Sequence, residues 1–115
     1  MSSKKSSDAL KRRVVVTGIG VISPIGNDVK STWQSIIAGN SGLGHISRFS
    51  ADDYEYPIAA EVKNFHPSEF IDPKLERRID LSTSFAIVAA RQAWYDAGLE
   101  HGEVNANRSG IVIGT

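Results

Sequence analysis

Apolar and polar positions along this chain follow first a strand pattern and then a helical one. Val14, Val15 and Val16 are β-branched residues in a row, which predicts a strand over Arg12 to Gly20 buried on both faces. Gly18 and Gly20 leave room for a turn or a close approach as that strand ends. Pro24 keeps Ser23 out of the helical region, so a turn comes next. Val29, Trp33, Ile36 and Ile37 then recur at helical spacing, with Asn27 or Asp28 as the cap and Gly39 as the stop. A Gly/Ser loop spans Asn40 to Arg48. Tyr56 to Val62 reads as a short strand that Pro57 assigns to an edge or a strand start.

Asp72-Pro73 opens a second helix, with the aspartate as cap and proline in the first turn, running to Ile79 or Asp80. A longer helix is predicted from Ser82 to Ala97, ended by Gly98. Its Ala86, Ala89, Ala90, Ala93 and Ala97 form a narrow stripe against which another backbone can lie, which predicts burial between layers. Phe85, Val88 and Trp94 supply the larger side chains, and Trp33 and Trp94 read as core aromatics. Gly110 to Thr115 is a β-branched closing strand. That makes two good strands, one doubtful strand and about three helices, with no internal repeat. So few strands would leave the faces and edges of a parallel sheet open, so the chain reads as part of a larger domain.

Composition narrows the chemistry. At 115 residues there is chain enough for one modest core at most. The 13 basic and 13 acidic residues balance, so no overall charge draws the chain toward nucleic acid or membrane. The absence of cysteine excludes disulfides, thiolate metal sites and a thiol nucleophile from this stretch. Met1 to Lys11 is Ser- and Lys-rich and lacks the apolar core of a secretory signal, which predicts a disordered tail. The longest apolar run, Phe85 to Ala90, is far too short to span a bilayer. A cytoplasmic protein is the expectation.

Gly18-x-Gly20 after a strand invites a dinucleotide-binding reading, but the pattern fails. Position 23 is Ser where a third glycine belongs, Pro24 delays the helix, and about 20 residues beyond Gly20 no carboxylate appears. His45, His66 and His101 all fall in predicted loops, without metal-site spacing, and read as surface or structural residues. Gly-x-Ser-x-Gly is absent and Asp52-Asp53 reads as a solvated pair. No catalytic constellation emerges, and no cofactor or metal site with it. The chemistry-bearing group that remains is Lys74, Arg77 and Arg78. On a helix opening at Asp72 they fall at i, i+3 and i+4 and gather positive charge on one face, near an N-terminus where the dipole disfavours cations. Two readings stand: an ion pair of Arg77 or Arg78 with Asp80 or another nearby carboxylate, or a docking patch for an acidic partner.

Several motifs in order resemble the β-ketoacyl-acyl carrier protein synthases, and the elongating type-II subgroup most closely. They are Arg12 to Gly20, Ser23-Pro24-Ile25-Gly26, Thr32-Trp33, Ala38-Gly39-Asn40-Ser41-Gly42, Leu75-Glu76-Arg77-Arg78-Ile79-Asp80, Ala89-Ala90, Asp96-Ala97-Gly98-Leu99 and Ile111 to Thr115. The resemblance covers nearly everything after position 11. It implies the N-terminal part of a thiolase-like fold, layered α-β-α-β-α in the complete enzyme, with residues 12–115 a truncated N-terminal domain after a tail at 1–11. It implies a homodimer that condenses an acyl thioester with malonyl-acyl carrier protein without a cofactor. The cysteine, histidines and lysine that do this chemistry in the family lie beyond the stretch covered, so no catalytic role falls on His45, His66 or His101. Lys74, Arg77 and Arg78 match the positions that meet acyl carrier protein. The alternative within the same architecture is a non-catalytic chain-length factor.

Overall fold

The computed structural model describes residues 13–102 and 104–114. The expected tail, Met1 to Lys11, lies outside the described residues. The longest element is a helix, Leu81–Asp96, here numbered α3 after the two helices that precede it. It begins one residue before the expected Ser82, because Asp80 caps it. The Asp80 carboxylate accepts hydrogen bonds from the Thr83 N–H at 2.7 Å and the Ser82 hydroxyl at 3.1 Å. The Thr83 side chain first, then its N–H and the Ser82 hydroxyl, hold the Asp80 pKa below the ordinary carboxylate value. The chain leaves the helix through Ala97 and Gly98, whose φ of 69° is left-handed and suits glycine.

The alanine stripe does what its residue sizes allow. A Cβ added at Gly18 would overlap the Ala93 carbonyl oxygen and stand 2.8 Å from the Ala97 Cβ. One added at Gly20 would overlap the Ala89 carbonyl oxygen. The backbone around Gly18 and Gly20 therefore lies directly on α3. This stretch is extended but is not the strand expected over Arg12 to Gly20: its described residues pair with no neighbouring strand. Val14 is 94 % exposed. The expected strand at Gly110 to Thr115 is likewise unpaired over its described residues, and Val112 is 99 % exposed. Strand propensity describes fitness for a packed, pleated surface, and without neighbours it produces extended chain only.

Between these stretches the chain turns at Ser23–Gly26, where the two backbones exchange hydrogen bonds of 2.8 and 3.2 Å. Helix α1, Val29–Ile37, follows. Its cap is Asp28, which accepts from the Ser31 N–H at 2.7 Å and has its pKa lowered chiefly by that bond. Gly39, at φ 69°, closes it. The apolar face is not covered: Trp33 is 59 % exposed, and Ile36 and Ile37 are exposed with it. Trp94 on α3 is exposed as well. The core reading of both tryptophans is thus corrected, because no described element packs on those faces.

Two short strands form an antiparallel ribbon, β1 at Gly44–His45 and β2 at Ile58–Ala59. Gly44 pairs with Ala59 and His45 with Ile58. β2 is shorter than the expected Tyr56 to Val62, and its partner lies in what reads as the Asn40 to Arg48 loop. Glu61, two residues past β2, accepts from the Ser47 N–H at 3.0 Å, the Ser47 hydroxyl at 2.7 Å and the Arg48 N–H at 3.4 Å. A carboxylate thus takes over from the backbone ladder, and these donors, the Ser47 hydroxyl first, lower its pKa.

Helix α2 is a single turn, Pro73–Glu76, capped by Asp72 through the Lys74 N–H at 2.8 Å. The predicted continuation to Ile79 or Asp80 is replaced by a tighter turn, in which the Arg78 N–H reaches the Leu75 carbonyl at 2.9 Å. Short 3₁₀ turns at Pro67–Glu69, Leu99–His101 and Ala106–Arg108 complete the path. Among the described residues the buried apolar side chains are Ala51, Ile71 and Val88, while Phe65 meets Phe85 edge to face at 4.9 Å.

Candidate functional site

Helix α3 holds the first extended stretch by more than a close fit. The Asp96 carboxylate accepts from the Ile19 N–H at 2.9 Å, and the Gln92 side-chain oxygen accepts from the Val21 N–H at 3.0 Å. The same Gln92 amide donates to the Asn27 carbonyl at 2.7 Å. Residues 92 and 96 are one helical turn apart, and residues 19 and 21 are two apart in an extended chain, so the two repeats match. The side chains take the place that a neighbouring strand would fill. Sequence reading missed both residues, although their i, i+4 spacing on the alanine-striped helix is the signal that could have found them. The close approach that Gly18 and Gly20 permit is to this helix.

The turn after Gly20 is fixed in the same manner. The Ser23 hydroxyl donates to the Gly26 carbonyl at 3.1 Å and lies 3.1 Å from the Thr32 hydroxyl. Ser35 donates to the Ile25 carbonyl at 2.8 Å, and Asn27 donates to the carbonyls of Lys63 and Asn64 at 2.9 and 3.0 Å. A polar cleft of about 530 Å³ opens beside it, lined by residues including Asn27, Asp28, Ser31, Asn40 and Lys63. Asn27 Oδ1 is buried there without a protein partner.

Lys74, Arg77 and Arg78 all stand exposed on the surface. Lys74 belongs to α2, Arg77 is its last cap and Arg78 follows in the turn. They do not share one continuous helix face as predicted. Because the helix is one turn long, Arg77 sits at its end, where the dipole no longer disfavours a cation. Of the carboxylates offered as their alternative partners, Asp80 is engaged in capping α3. Behind this turn Arg91 Nη1 donates to the Phe70 carbonyl and ties α3 to the chain entering α2.

The histidines are dispersed. His45 lies in β1, and His66 caps the 3₁₀ turn at Pro67–Glu69 without a side-chain hydrogen bond. His101 ends another 3₁₀ turn. Among the described residues, no three His, Cys, Asp or Glu side chains come together as a metal site would require, and no helix is long and apolar enough to cross a membrane.

The site is thus a scaffold segment: a glycine-marked extended stretch seated on an alanine-striped helix, with a basic turn close by in sequence. Residues 11–115 match the beta-ketoacyl synthase N-terminal domain, and the chain belongs to that family. Its fold class is α/β and thiolase-like, as the resemblance implied. The chain is similar to the 3-oxoacyl-[acyl-carrier-protein] synthase 2 of Coxiella burnetii, at 50 % identity over 105 residues, covering 91 % of this chain and 25 % of the relative. The enzyme of the same name from Staphylococcus aureus strain COL is 47 % identical over 104 residues, covering 90 % of this chain and 25 % of the relative. That of Synechocystis is 45 % identical over 105 residues, covering 91 % and 25 %. Among solved structures, the ishigamide ketosynthase/chain length factor matches with a TM-score of 0.67 and 38 % identity, covering 78 % of this chain and 22 % of that one. The chain spans about a quarter of the length of the curated relatives it matches.

Proposed function

We propose that the complete protein is a 3-oxoacyl-[acyl carrier protein] synthase of fatty acid biosynthesis, acting as a cytoplasmic homodimer. The observation that carries this reading is the 45–50 % identity, over nine-tenths of the chain, to relatives bearing that name. In the proposed reaction an acyl group moves from its thioester to a cysteine thiolate of the complete protein. Malonyl-acyl carrier protein then loses carbon dioxide, and the carbanion left behind attacks the acyl thioester carbonyl. The new carbon–carbon bond forms as the thiolate departs, and hydrogen-bond donors stabilise the charge on the carbonyl oxygen. This chain has no cysteine, so its own share is scaffold and carrier docking.

The dock is Lys74, Arg77 and Arg78. Their exposure, and the engagement of Asp80 elsewhere, support it. Such a patch acts by steering an acidic partner and is weakened by salt. The first test incubates the complete protein with acyl- and malonyl-carrier protein and looks for carbon dioxide and the 3-oxoacyl product. Absence of both removes the enzyme reading. The second reverses the three charges together. The KM for acyl-carrier protein should rise several-fold or more, while transfer from acyl-coenzyme A stays nearly unchanged; equal loss on both means that the residues hold the fold. A second reading, the non-catalytic chain-length factor, is favoured by the name of the matching solved structure. It requires activity only when a catalytic partner is added.

A further inference from the structure

Where the β1–β2 ribbon ends, the chain holds an anion of its own. The Ile46 N–H still reaches the Pro57 carbonyl at 3.0 Å. The next two N–H groups, those of Ser47 and Arg48, turn from the ladder to the Glu61 carboxylate, and the Ser47 hydroxyl joins them. Successive N–H groups aimed at one point form a concavity that suits an anion. The Ser47 hydroxyl first, then the two N–H groups and last the Arg48 charge favour the ionised form of Glu61. A cleft of about 480 Å³ opens at this point, and His45, Arg48 and Lys63 line it together with Ser47 and Glu61. The Lys63 ammonium lies over β1, for a Cβ built on Gly44 would stand 3.8 Å from Lys63 Nζ. Among the described residues, neither Arg48 nor Lys63 forms an ion pair.

The cleft thus offers two full positive charges, an imidazole, a hydroxyl and two N–H groups, against a single carboxylate. The hydrogen bonds to Glu61 lie at the surface, where a competing anion can reach them. A carboxylate balances one of the two charges. A phosphomonoester, with a charge of about −1.5 to −2 at neutral pH and three acceptor oxygens, balances both. We propose that this cleft is a phosphate-binding site, which takes the dianionic phosphate of a soluble phosphomonoester at the place held by Glu61. Glu61 is the tethered occupant that the phosphate displaces, so the site fills only when the ligand outcompetes it. None of these groups belongs to the basic turn at Lys74, Arg77 and Arg78.

The experiment titrates inorganic phosphate into the complete protein by calorimetry and records the Tm of each variant. Glu61→Gln removes the competing charge and should tighten phosphate binding about three- to tenfold. The double variant Arg48→Ala, Lys63→Ala should weaken it about tenfold or more at unchanged Tm. Charge reversal of Lys74, Arg77 and Arg78 should leave it within about twofold. Glycerol 3-phosphate, a soluble monoester, should compete with phosphate. Vesicles of phosphatidylglycerol, a diester with one charge, should not. Phosphate binding that is absent, or that neither cleft variant alters, overturns the inference. So does vesicle binding without phosphate binding, which makes the cleft a membrane contact. Binding that the double variant weakens and a folded Glu61→Gln leaves alone refutes the displacement of Glu61. If Glu61→Gln does not fold, the double variant decides alone.

Discussion

Two glycines carry the tightest constraint at the scale of single residues. At Gly18 and Gly20 a Cβ would enter the space of main-chain carbonyl oxygens on α3, and helical backbone cannot step aside as a side chain tip can. Gly20→Val in the complete protein should therefore lower Tm or solubility. Overpacking of this kind costs about 1–3 kcal/mol or more, and thermal melting checks it. Titration with NAD or NADP supplies the complementary measurement: saturable binding to the wild type would show that the glycines serve a phosphate and not the helix. The caps at Asp28, Asp72 and Asp80 are local in another way. Each carboxylate accepts an N–H two or three residues ahead, so sequence alone points to the first two.

The relation between α3 and the Ile19–Asn27 stretch depends on pairs of elements. Gln92 satisfies the Val21 N–H and the Asn27 carbonyl with one amide. In the complete protein, Gln92→Ala leaves both backbone groups without that partner in a part-buried setting, and should cost about 1–3 kcal/mol. Gln92→Glu keeps the acceptor for Val21 but presents a carboxylate to the Asn27 carbonyl, so it should not rescue. Gln92→Ala and Gln92→Glu that both unfold at the wild-type denaturant midpoint would show that the clasp contributes nothing to stability. At this scale the alanine stripe predicted close approach correctly but did not say which backbone approaches.

At the scale of the whole molecule, Val14, Val16 and Val112 are 80–99 % exposed, and extended stretches among the described residues lack ladder partners. Such surface binds apolar dyes and favours association. The chain on its own should bind 8-anilinonaphthalene sulfonate strongly, melt without a cooperative transition and show no condensing activity, having no thiol. A sharp calorimetric transition in a soluble monomer, or turnover above background, would refute this.

The sequence by itself determined what depends on neighbours a few residues apart. It located the start of α1 at Asn27 or Asp28 and that of α2 at Asp72-Pro73, the stops at Gly39 and Gly98, the alanine stripe of α3, and the family from motifs kept in order. It placed the Lys74, Arg77 and Arg78 cluster but over-extended its helix, since the 3₁₀ closure at Leu75–Arg78 competes on nearly equal terms with another helical turn. Tertiary structure decided the rest. Val14 to Val16 have the side chains of a buried strand, but a strand exists only where another backbone meets its hydrogen-bonding groups. Likewise Trp33 has the spacing of a core residue and stays exposed where nothing covers it. Gln92 and Asp96 are ordinary polar residues on a helix until residues 19, 21 and 27, some seventy positions away in the chain, are laid across them. Contacts at that separation depend on chain topology, which local periodicity does not encode.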